Sequence, residues 1–371
     1  MILFLTRSTG IAALRDGEFS AASVAYEASL ISSLKSLAEI SVINIGGDSK
    51  KEARVSWNGL HYSAMGFGRL HSLIKALACI ISMARSGGRP VILTTGYYPL
   101  EMIALLFLRL LGFNVYSIIY DSHASALTAM SAVKRVFVDM YFKIGFLCAG
   151  FLSGVVVVNK CLIGKFIISP RRILLSRIGA LFKGVDLSLP KFELQRPPRF
   201  LFAGTLNSEN GVGLLLEVFS RLPELRASLV FYGGGEAVQH VIEAAAMDPR
   251  ISFGGRISDK DLDMELLLSD FLVCLRDPNS VSATYAFPSK LIKFMGSGVP
   301  VLINRFPGID VEMEKCLLVV DRFSATELSD GICNAITMSS VSEIGSRAKH
   351  YIQENHDWGL IAKEMAEFFS I

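Results

Sequence analysis

The chain has 371 residues, more than the ~250 to 300 at which a single hydrophobic core stops growing, so two domains are expected. Its 51% hydrophobic and 19% charged composition excludes a disordered chain. The net charge of +3 conceals an imbalance: residues 1–190 carry 20 Lys and Arg against 10 Asp and Glu, the remainder 17 against 24, so the first half is suited to an anionic surface. Its basic residues are spread out and lack interleaved aromatics, which speaks against nucleic acid as a partner.

Met1–Leu5 is apolar with no basic region ahead of it, and reads as a first buried strand rather than a signal peptide. Further apolar strands are expected at Ile40–Ile45, Val91–Thr95, Asn114–Tyr120 and Val155–Val158. The run Ile144–Val158 is broken by Gly145, Gly150 and Gly154 and is shorter than the roughly 18 to 20 residues of a spanning helix. It reads as a helix end, a turn and a strand. A second strand series begins at Phe200–Ala203 and continues through Ser228–Tyr232, Ile251–Phe253, Phe271–Leu275, Val299–Ile303 and Cys316–Val320. Continuous apolar strands alternating with helical patterns predict parallel sheets covered on both faces. With Pro190, Pro197 and Pro198 punctuating 183–199, the prediction is an α/β protein of two Rossmann-like domains facing a cleft. The six cysteines have no CxxC spacing and no nearby histidines at ligand spacing, so they read as reduced core residues of a cytoplasmic protein, with no metal site and no disulfide framework.

Ligands of such sheets bind beyond the carboxyl ends of the strands, and three segments there carry chemistry. Gly204-Thr205 through Asn210-Gly211 links a strand to a helix, and glycine turns at helix N-termini accept anions. Tyr232-Gly233-Gly234-Gly235 is a second such turn. The third, from Phe271 to Val301, holds Phe287-Pro288-Ser289-Lys290 at the opening of a helix, where a lysine gains nothing from the helix dipole and an anionic ligand is a natural reason for it. Each turn alone also suits an ordinary connection, and Lys290 alone also suits solvent.

The segments AGTLNSENGVGLLLEVF, LVFYGGGE, RISFGGRIS (which contains Arg256), YAFPSKLIKFMGSGVPVL and HDWGLIAKEMAEFF together resemble the donor-binding half of family 4 glycosyltransferases of the GT-B fold, strongly over 199–371 and loosely before it. In the first half, Tyr120-Asp121-Ser122-His123 resembles the family's strand-end Asp-x-His. The resemblance implies domains at 1–190 for the acceptor and 191–355 for the nucleotide sugar, with 356–371 a helix returning to the first domain and anchored by Trp358. It implies a functional His123 near the transferred sugar. It places Tyr285 and Lys293 where the family carries two glutamates, and the uncharged Thr205 and Asn210 where it carries a phosphate-binding arginine and lysine.

These readings converge on a metal-independent sugar transferase with no cofactor beyond a UDP-sugar or GDP-sugar co-substrate, and the resemblance to family 4 implies that it is a retaining one. The candidate catalytic residues are His123, Lys290 and Arg276. The donor would be held by Gly204, Thr205, Asn210, Gly211, Gly234, Arg256, Tyr285, Phe287, Pro288, Ser289 and Lys293, with Lys290 and Lys293 sharing one helix face. The acceptor, lipid-linked or saccharide, would approach Ser8, Thr9, Gly10 and Tyr97, and the basic half would bring the chain to the inner face of an anionic membrane for surface polysaccharide synthesis. His123 is expected to be essential for turnover and dispensable for folding. The altered charges keep open a non-catalytic relative that binds a glycan or protein. A dinucleotide oxidoreductase is disfavoured, since no GxGxxG follows the first strand.

Overall fold

The structure is a computed structural model that describes residues 1–7, 22–45, 53–57, 60–64, 69–85, 87–123, 130–180, 197–286 and 289–370. Ser8, Thr9, Gly10, Phe287 and Pro288 lie outside the described residues, as does 181–196, where the interdomain break is expected.

The chain divides into two units. The first comprises Met1–Gly179, Tyr285–Phe287 and Trp358–Ile371. Its sheet has the strand order β3-β4-β2-β1-β5-β6-β7-β8, built from β1 (Ile2–Thr6), β2 (Ile40–Asn44), β3 (Ala53–Trp57), β4 (Leu60–Ala64), β5 (Val91–Thr95), β6 (Val115–Ile119), β7 (Gly154–Val157) and β8 (Ile173–Leu175). All neighbours pair in parallel except β3 with β4. That antiparallel hairpin departs from the expected wholly parallel pattern. Asn58-Gly59 stands between its strands in sequence, a strong hairpin signal that a reading by apolar runs passes over.

Alternation along β1 divides the core. Ile2 and Phe4 face α1 (Ala22–Leu34) and α13 (Trp358–Phe369), meeting Leu30, Ile31, Ile361, Met365 and Phe369. Leu3 and Leu5 face the opposite layer of α2 (Arg69–Arg85), α3 (Pro99–Leu110) and α4 (Ala132–Ala149). A period of two along a strand produces this division. Among the described residues, no helix is long and apolar enough to cross a membrane.

The second unit, Ala180–Thr284 with Pro288–Asp357, has a parallel sheet ordered β11-β10-β9-β12-β13-β14. Its strands are β9 (Arg199–Thr205), β10 (Ser228–Gly234), β11 (Ile251–Phe253), β12 (Phe271–Val273), β13 (Val301–Asn304) and β14 (Leu318–Val320). The helices α5 (Val212–Arg221), α6 (Val238–Met247), α7 (Asp259–Leu267), α8 (Val281–Tyr285), α9 (Ser289–Ser297), α10 (Val311–Glu314), α11 (Ala325–Thr337) and α12 (Val341–Asn355) follow in chain order. From β9 the chain moves outward through β10 and β11, then returns to the other side of β9 for β12 to β14. The order therefore reverses between β9 and β12, the place where open α/β sheets bind ligands. Cys148, Cys274 and Cys316 are buried as expected of core residues, whereas Cys333 is exposed.

Candidate functional site

The carboxyl ends of β9, β10 and β12 and the start of α9 bring several of the expected residues together. Gly204 (φ +134°) and Gly233 (φ +137°) lie opposite each other in register. Both backbones are in a region that side chains rarely adopt. Lys290, in the first turn of α9, reaches back over the Phe202 ring (4.8 Å) and donates to the Ala203 carbonyl at 3.3 Å. Its ammonium fills the space beside Gly204, where a Cβ would come within 2.6 Å of Nζ.

No carboxylate pairs with Lys290 among the described residues. Burial pushes its pKa below the usual lysine range, and the nearby Arg276 adds to the depression. Burial likewise lowers Arg276. Both cations therefore stand, partly buried, at the topological switch point of this sheet, with the carboxylate of Glu209 favouring the charged form of Arg276. The backbone of Arg276 is bracketed by the buried Asn304: Oδ1 accepts the Arg276 N–H at 2.8 Å and Nδ2 donates to its carbonyl at 2.7 Å. Asn304 escaped the sequence reading; its only signal was a polar residue ending the apolar run Val301-Leu302-Ile303.

Other candidates are placed differently. Lys293 does not join Lys290. It pairs with Asp263 at 2.8 Å and Asp259 at 3.4 Å on α7, so its charge is already met. Asn210 is buried and donates to the Thr205 carbonyl at 3.0 Å, so it closes the first glycine loop, with Gly211 (φ +74°) capping α5. Thr205 is exposed, as is Arg256 in the segment that follows β11, whose guanidinium lies against Gly234. Ser289 opens α9 and is partly exposed. Tyr285 groups with the first unit, where Lys165 lies 4.0 Å over its ring.

In the first unit the strand order reverses between β1 and β5. There the buried Glu27 of α1 accepts hydroxyl hydrogen bonds from Thr6, Thr95 (2.7 Å) and Tyr120 (3.2 Å). This cluster joins residues far apart in sequence, and periodicity carries no sign of it. Tyr97 is buried, and its hydroxyl accepts the His123 N–H at 2.6 Å and lies 2.9 Å from Nδ1. Nε2 lies 3.3 Å from Asp139, and the ring stacks on Phe142 at 4.3 Å. The phenol donating to Nδ1 and Nε2–H donating to Asp139 satisfies both contacts with a neutral ring. Burial lowers the His123 pKa, which Asp139 only partly opposes.

Both ring nitrogens are thus engaged, and the expectation that His123 is dispensable for folding changes: its ring is packed and bonded. His123→Ala is expected to destabilise the first unit by about 2 kcal/mol. A thermal melt equal to the parent's would contradict this packing role.

Residues 197–338 match the family of glycosyl transferases group 1. No curated protein sequence matches the chain. Among solved structures it is similar to sucrose-phosphate synthase from Thermosynechococcus elongatus, with a TM-score of 0.72 at 16% identity over 100% of this chain and 98% of that one. It is also similar to alpha,alpha-trehalose 6-phosphate synthase from Burkholderia multivorans (0.64, 11%, 100% and 98%). A third similar structure is Anabaena HepE in complex with UDP (0.67, 14%, 100% and 99%). At such identities the likeness is one of fold, and that fold is GT-B.

Proposed function

From residues 197–338 being a group 1 glycosyltransferase domain within a chain of GT-B fold, we propose that the protein transfers a sugar from a UDP-sugar or GDP-sugar to a lipid-linked or saccharide acceptor in surface polysaccharide synthesis. The observation that carries the proposal is Lys290: a desolvated ammonium with no described carboxylate partner, set against Gly204 beside Arg276. As the bond from the anomeric carbon to the phosphate oxygen breaks, its electron pair leaves with the nucleoside diphosphate. Lys290 and Arg276 stabilise that charge where it develops, with no metal or other cofactor required. On a retaining path, the acceptor hydroxyl oxygen bonds to the same face of the anomeric carbon and gives its proton to the departing phosphate oxygen. The backbone amides at the Gly204 turn and the start of α9 add donors. His123, neutral and held on both ring nitrogens, acts as a positioning residue for the β6 end of the first unit. The acidic second unit holds the donor, and the basic first unit holds the acceptor on the cytoplasmic face of an anionic membrane.

The test is calorimetry with UDP and GDP against their nucleosides, followed by transfer from a panel of nucleotide sugars to a lipid-linked acceptor extract. Tighter binding of a diphosphate than of its nucleoside, together with transfer, is expected. A second reading, a non-catalytic glycan or protein binder, is favoured by Lys293 pairing with Asp259 and Asp263 and by Asn210 binding its own loop, since neither side chain offers charge to a phosphate. Absence of diphosphate binding would establish that reading instead.

A further inference from the structure

The helical layer α2–α3–α4 of the first unit has apolar residues on the side turned away from its sheet as well as on the side that packs. In α4, Val133, Val136, Phe137, Met140, Tyr141 and Ile144 are all exposed, Phe137 at 63%. At ~100° per residue they form one stripe roughly 140° wide, with Lys134 and Lys143 along its two edges. α3 packs beside α4 and repeats the pattern: Met102, Leu105 and Leu108 are buried, while Leu100, Ile103, Phe107 and Leu110 are exposed, Leu110 at 85%. Leu70 and Ile74 extend the surface onto α2. The opposite layer is ordinary, with Lys363 and Glu367 exposed on α13.

The charge around this surface has one sign. The three helices contain seven basic residues and two acidic ones. Of the acids, Glu101 is buried and paired with Arg7, and Asp139 is paired with Lys143. A contiguous apolar surface edged by lysines complements the boundary between anionic headgroups and acyl chains.

We propose that the outward faces of α3 and α4, continued by Leu70 and Ile74, bed in the plane of an anionic lipid bilayer. Lysines meet the headgroups, and Phe107, Phe137, Met140 and Ile144 enter the acyl boundary. The proposal rests on the membrane placement in the preceding reading and deepens it: attachment has an apolar component as well as an electrostatic one. An electrostatic attachment alone would disappear with salt, whereas the apolar stripe retains the protein once docked.

The experiment is flotation of the full chain with phosphatidylglycerol–phosphatidylcholine vesicles and with phosphatidylcholine vesicles, at low and high salt. The parent is expected to float with the anionic vesicles and to keep a measurable bound fraction at high salt. Phe137→Ser/Met140→Ser/Ile144→Ser, at exposed positions, is expected to keep the parent's circular dichroism and lose at least about tenfold in partitioning. Lys134→Glu is expected to weaken binding to anionic vesicles only. Failure of the parent to float, or equal flotation of parent and triple variant, overturns the proposal. So does a concentration-dependent dimer that the triple variant abolishes, because the face would then belong to a second copy. UDP and GDP calorimetry on parent and triple variant keeps the two readings apart: unchanged diphosphate binding with lost flotation supports both. No diphosphate binding in a parent that floats refutes the transferase reading alone.

Discussion

Lys290→Met is expected to lower turnover by about 10² to 10³, the scale of losing one preorganised charge-stabilising group, while leaving nucleoside binding near the parent value. Nucleoside diphosphate binding should fall with turnover, because the proposed role sets the ammonium against the phosphates and not the base or ribose. Stability should move the other way. Methionine is close to lysine in shape and carries no charge to desolvate, so the unliganded variant is expected to melt at or above the parent temperature.

The pH dependence gives an independent readout. The unfolded lysine titrates at its ordinary value of 10.5 and the folded one below it. Between those two values the unfolded chain holds more protons, so parent stability should rise with pH through that window. The methionine variant should lose this rise, and a bound diphosphate should suppress it in the parent by favouring the charged lysine. Unimpaired turnover in Lys290→Met would remove the central residue of the functional reading.

Gly233→Ala is expected to produce the largest loss of stability among single substitutions at this site. A Cβ there would lie 1.8 Å from the Gly204 carbonyl oxygen, on a backbone with φ +137°. Neither obstacle is a flexible side chain that can swing aside: the neighbour is the paired strand β9 itself. The cost is expected to be about 3 kcal/mol or more, read by denaturant unfolding of the full chain. Gly234→Ala is the internal control. The next glycine along the strand has an ordinary φ, and its added methyl would meet only the Arg256 guanidinium at 3.0 Å, on an exposed side chain that can move. It should therefore cost under about 1 kcal/mol. Equal losses in the two variants would show that the turn tolerates a side chain at 233.

The alternation of apolar strands and helices, the two largely parallel sheets and the strand-end glycine turns were legible in the sequence because they are local properties of the chain, whereas the antiparallel β3–β4 pair was not among the expected strands. The start of α9 was legible for the same reason, since Pro288-Ser289 announces a helix start and so sets Lys290 in its first turn. Partner choice was not local. Lys293 shares a helix with Lys290, but only the packing of α9 beside α7 brings Asp259 and Asp263 to it. Only the adjacency of β12 and β13 lets Asn304 bracket Arg276. His123 is fixed by Tyr97 and Asp139, which stand 26 and 16 residues away. The outward stripe of α3 was hidden for a further reason. Pro99–Leu110 is apolar on both sides, so its periodicity does not say which side faces the sheet. Packing against the sheet buries Met102, Leu105 and Leu108 and so leaves Leu100, Ile103, Phe107 and Leu110 on the surface.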